Sequence, residues 1–94
     1  MAFRPNFDDP VHIAGDTMTV TGRTADQGPP PALIHIFLEQ SGQVQGGQVD
    51  QPGHAWQKDL PAAGFGPGPA LAVGIEVHTQ PFESTTWTQA VTIA

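Results

Sequence analysis

Ala32-Leu33-Ile34-His35-Ile36-Phe37-Leu38-Glu39-Gln40 is the longest apolar run in the chain, set between Gly28-Pro29-Pro30-Pro31 and Ser41-Gly42. Those boundaries leave about nine residues, a strand's length and short for a stable helix. The isoleucines, the leucines and Phe37 suit a pleated surface packed on at least one side. The stretch therefore predicts the central strand of a β-sandwich. Ile34, Ile36 and Leu38 would face the core, and Leu33, His35, Phe37 and Glu39 would face away from it.

The same punctuation recurs along the chain. Gly and Pro make up 21 of the 94 residues and are scattered without repeat. No long segment between them carries the i, i+3, i+4 apolar spacing of a helix. Short period-two segments remain: 11–14, 17–24, 32–40, 43–50, 54–60, 70–79 and 86–94. Met18 and Val20 alternate with Thr17, Thr19 and Thr21, the pattern of an antiparallel strand with one wet face. Gly46-Gly47 predicts a bulge in the fourth segment. Trp56 and Leu60 share a face with Lys58, so either a bulge rotates Lys58 out or the strand lies at a sheet edge with an inward charge, and the edge is the preferred reading. Leu71, Val73, Ile75 and Val77 share one parity and are expected to face the core. Trp87, Val91 and Ile93 do the same in the last strand. Residues 25–31 read as a polar, proline-rich loop whose three consecutive prolines no strand can cross, and residues 61–69 read as a long turn-rich link. Residues 1–10 read as an irregular arm whose Phe3 and Phe7 can tuck against the body, and residues 11–94 read as one domain.

Seven strands in this order resemble the bacterial immunoglobulin-like and fibronectin-like domains. Three passages carry the likeness: Met18-Thr19-Val20-Thr21-Gly22, Gln51-Pro52-Gly53-His54-Ala55-Trp56 with Leu60, and Gly66-Pro67-Gly68-Pro69-Ala70-Leu71-Ala72-Val73. The resemblance implies an all-β, antiparallel two-sheet sandwich, with the third and sixth strands as neighbours. The chain departs from antibody-type domains in having no cysteine and no tyrosine, so neither the intersheet disulfide nor the tyrosine corner is present. Such sandwiches serve as adhesins, spacers, sugar-binding modules and oligomer contacts, so the likeness speaks to fold and not to activity.

Composition narrows the function classes. With three Lys and Arg residues, nine Asp and Glu residues and a net charge of −6, the chain cannot neutralise a row of phosphates. Nucleic acid is thereby an unsuited partner, and so is an anionic membrane surface. Charged residues are 13% of the chain, about half the usual share, and the polar surface falls to nine Thr and nine Gln. The first ten residues hold no apolar signal-peptide segment and no run is long enough to span a membrane, so the cytoplasm is the expected compartment.

No catalytic motif is present. The chain lacks Gly-x-Ser-x-Gly, His-Glu-x-x-His and a phosphate-cradling glycine loop, and its serines, Ser41 and Ser84, are expected in turns. Neither an enzyme nor a cofactor is expected. His12, His35, His54 and His78 are too dispersed for a local metal signature. If Val73, Ile75 and Val77 face inward, however, Glu76 and His78 emerge on the open face beside His35. That cluster is either a solvated cross-strand group or a divalent-metal site. Asp8, Asp9 and Asp16 lack the fixed spacing of a calcium loop and read as solvated charge. Trp56 and Trp87 would serve a carbohydrate-binding module if exposed, but their parity with core residues places them inside.

Leu33 and Phe37 give the sharper expectation. Each large apolar side chain left in water forgoes about 1.5–3 kcal/mol of burial, and an apolar, weakly charged patch is what a contact surface needs. The alternative is that the arm covers them with Phe3 or Phe7. The chain thus reads as a non-catalytic interaction or structural module. It would bind a protein partner or a second copy through Leu33, His35, Phe37, Glu39, Glu76 and His78, or self-associate along an edge strand. A carbohydrate- or metal-binding module is the alternative.

Overall fold

The computed structural model describes residues 6–24, 31–49, 53–79 and 82–94. Phe3, most of the expected link at 25–31, and residues 50–52 and 80–81 lie outside the described residues. Within them the strands are β1 (Asn6–Phe7), β2 (His12–Ala14), β3 (Thr17–Arg23) and β4 (Leu33–Gln40), then β5 (Gln43–Gln48), β6 (Ala55–Pro61), β7 (Gly68–Thr79) and β8 (Phe82–Ile93). No helix occurs among the described residues, so none is long and apolar enough to cross a membrane.

The strands form two antiparallel sheets, an all-β sandwich. In the first, β3 is central, with β6 on one flank and β1 and β2 end to end on the other. The second has the order β5-β4-β7-β8. The chain bridges the two sheets at Val11, which lies parallel to Ile93. The Val11 N–H donates to Thr92 O at 2.8 Å, and its carbonyl accepts from the Ala94 N–H at 2.8 Å.

Alternation decides what fills the space between the sheets. Met18, Val20, Trp56 and Leu60 come from the first sheet, and Ile34, Ile36, Leu38, Ala72, Val91 and Ile93 from the second; all are buried in one cluster. Phe7 joins them at 2% exposure. Its ring meets Trp56 edge-on at 5.4 Å and lies tilted against Trp87 at 5.7 Å. The arm is therefore not irregular throughout: Phe7 pairs with Gly22 in β1 and fills the core.

The indole of Trp56 occupies the space a side chain would take at Gly22, and that of Trp87 does the same at Gly74. Glycine is required there for close approach rather than for a turn.

The bulge expected at Gly46-Gly47 is absent. Pairing runs one to one from His35↔Gln48 to Gln40↔Gln43. Gly46 is needed because the Phe37 ring lies over it, an aromatic side chain covering a glycine in an edge strand. β6 is an edge strand, as expected, with Lys58 half-buried and its stem folded toward Gly47 of the opposite sheet. The link after β6 is held by Gln40, whose Oε1 accepts from the Gly66 N–H and whose Nε2 donates to Gly66 O, both at 2.9 Å.

Candidate functional site

The expected face of β4 is present: Ile34, Ile36 and Leu38 are fully buried, while Leu33, His35 and Phe37 are half-buried and Glu39 is exposed. The expected face of β7 is reversed. Ile36 pairs with Gly74 and Leu38 with Ala72, so Ala72, Gly74 and Glu76 point between the sheets. Leu71, Val73, Ile75 and Val77 point the other way.

The reason is volume. Phe7, Trp56 and Trp87 fill the interior against this part of β7, and the Trp87 indole leaves no room for a side chain at Gly74. A signal for this was in the sequence. Ala70, Ala72 and Gly74 alternate with the large aliphatics, and Trp87 needs a glycine beside it.

Glu76 and His78 therefore do not join His35, and the outward cluster expected of them does not form. Glu76 is 1% exposed, and its Oε1 lies 3.3 Å from His78 Nε2. Its buried Oε2 makes no hydrogen bond among the described residues, and neither does the Trp56 or Trp87 Nε1. Asp8 and Asp9 serve as local acceptors, for the Thr21 hydroxyl at 2.8 Å and the Thr92 N–H at 2.7 Å. Among the described residues no three His, Asp or Glu side chains gather as for a metal. Trp56 is buried and Trp87 packs on the core, so neither offers a flat platform for a sugar.

What the register does build is the outer face of the second sheet. Its side chains fall into rows across β5, β4, β7 and β8: Gln48–His35–Ile75–Thr86, Gly46–Phe37–Val73–Thr88 and Val44–Glu39–Leu71–Ala90. Leu33, Val77 and Ser84 continue the grid at one end. Six aliphatic or aromatic side chains from the two central strands thus adjoin one another. Val44 at 56% and Leu71 at 40% are among the exposed large apolar residues. His35 and Phe37 meet edge-on at 6.3 Å. Among the described residues no Lys or Arg lies on the face and Glu39 is its one carboxylate, while Ser84, Thr86 and Thr88 of β8 rim it with hydroxyls. Phe7 does not cover it, because that ring is inside the sandwich.

Compared with family models, curated proteins and solved structures, the chain matches none.

Proposed function

We propose that the chain is a non-catalytic interaction module that docks a protein partner, or a second copy of itself, through the outer face of the β5-β4-β7-β8 sheet. The carrying observation is the contiguous apolar set Leu33, Phe37, Leu71, Val73, Ile75 and Val77, on the sheet face turned away from the core. An antiparallel sheet that ends in water alternates apolar-in with polar-out. Here β7 does the opposite, with Ala72, Gly74 and Glu76 inside and large aliphatics outside. A surface of this kind is suited to removal from water by association. Its hydroxyl rim and lack of cations favour a weakly charged protein surface over a polyanion. The adjacency of β4 and β7 and the all-antiparallel pairing support reading the fold as immunoglobulin-like or fibronectin-like, of the bacterial kind.

The test is a paired substitution, Val73→Asp with Ile75→Asp, at the centre of the face. Sedimentation of the parent protein over a wide concentration range, and binding of an apolar dye, are compared with those of the variant. The reading expects the variant to lose dye binding and any face-mediated association while keeping its near-ultraviolet circular dichroism. A parent that stays monomeric at millimolar concentration and binds no dye would count against it.

A further inference from the structure

Beyond that face, we propose that the free edge of β8 pairs antiparallel with β8 of a second copy about a twofold axis at Thr86, joining two four-stranded sheets into one. The bonding at the end of β8 fixes which groups point off the sheet. The Thr92 N–H donates to Asp9 Oδ1 and its carbonyl accepts from Val11, so both of its backbone groups face away from β7. The β7–β8 ladder is one to one from Gly68↔Ile93 to Thr79↔Phe82. Every second residue must therefore do the same: Phe82, Ser84, Thr86, Thr88 and Ala90. Asp9 and Val11 close the edge at Thr92. Among the described residues nothing closes it from Phe82 to Ala90.

The other edges carry the features that discourage pairing. β6 has Lys58 and ends at Pro61, β5 contains Gly46-Gly47, and β1 and β2 are short. β8 has twelve residues, no proline, no glycine and no lysine. Phe82, at the start of its free run, is 78% exposed.

The free run itself selects the partner. Its five outward-facing residues are symmetric about Thr86, so a twofold there uses all of them. Thr86 meets Thr86 of the second copy, Ser84 meets Thr88, and Phe82 meets Ala90, with about ten backbone hydrogen bonds formed. The strand's one charge, Glu83, falls opposite Gln89 and not opposite its own copy. Phe82 gains cover. The outer faces of the two copies then lie side by side in one continuous surface, with the apolar patches uncovered.

The chain has no cysteine, so single cysteines report the register. In a hydrogen-bonded antiparallel pair the Cα atoms lie about 5.5 Å apart, within disulfide range. Thr86→Cys is expected to crosslink rapidly to a dimer under mild oxidation, and Ser84→Cys and Thr88→Cys to crosslink slowly alone but readily when mixed. Thr88→Pro removes an N–H that β7 does not use. It should weaken the dimer roughly thirtyfold, through loss of two backbone hydrogen bonds per dimer, and leave the monomer folded. Equal crosslinking at all three positions, or a dimer indifferent to Thr88→Pro, would overturn the proposal. So would a parent that stays monomeric at millimolar concentration. Val73→Asp with Ile75→Asp separates the two surfaces: the edge dimer survives it, and a dimer abolished by it runs through the face instead.

Discussion

The side-chain amide of Gln89 brackets the backbone of Phe7 as a neighbouring strand would. Its Oε1 accepts from the Phe7 N–H and its Nε2 donates to the Phe7 carbonyl, both at 2.9 Å and across 82 residues of sequence. β1 thereby gains a partner on the side away from β3, and the first strand is tied to the last. Replacing Gln89 with Leu leaves two backbone groups without their partners in a half-buried place. The expected cost is about 1–3 kcal/mol, measured by urea unfolding. A variant as stable as the parent would show that water replaces the amide without loss.

Phe7 makes the complementary case, because its ring and not only its backbone is committed. It sits between Trp56 and Trp87 at 2% exposure. Phe7→Ala should cost about 3–5 kcal/mol by loss of transfer energy and the cavity left behind. It should also shift tryptophan emission to the red as water reaches the indoles. A loss below 1 kcal/mol would mean the segment is an attachment and not part of the core.

Gly74 and Gly66 test whether aromatic cover is what requires glycine at position 74, since neither has the positive φ that demands one. A Cβ at Gly74 meets the Trp87 indole, whereas one at Gly66 meets nothing within 4 Å. Gly74→Ala should destabilise by about 1–3 kcal/mol through overpacking. Gly66→Ala should be neutral or stabilise by a few tenths of a kcal/mol, because the unfolded chain loses freedom. Equal effects at the two sites would remove the packing explanation.

These glycines also show what the sequence carried and what it hid. Most strand positions were legible because prolines and glycines cut the chain into short lengths, but β1 was not, and β8 starts at Phe82 rather than at Thr86. The inward face of β3 was legible because Met18 and Val20 alternate with threonine. The face of β7 was not, since the rule that large apolar residues point inward assumes that nothing else fills the interior. Here Phe7 and two indoles, supplied by β1, β6 and β8, fill it first. That is a contact between distant segments, invisible to periodicity within one strand. For the same reason Leu33, His35 and Phe37 were placed on the correct face from β4 alone. The periodicity of β7 taken alone puts their largest neighbours, Val73 and Ile75, on the wrong side, and Glu76 and His78 with them.

Glu76 gives the last test. A carboxylate at 1% exposure has one oxygen near His78 and the other without a partner among the described residues. Taking such a group out of water costs more than one imidazole contact returns, and an apolar side chain of similar length removes that penalty. Glu76→Met should therefore raise stability, by about 1–3 kcal/mol. Glu76→Ala should gain less or lose outright, because it adds a cavity beside Ile34 on the neighbouring strand. The difference in sign between the two variants is the informative quantity, read from paired urea curves at one pH. If both destabilise by similar amounts, the carboxylate is engaged in the folded protein and its burial is a requirement of the fold.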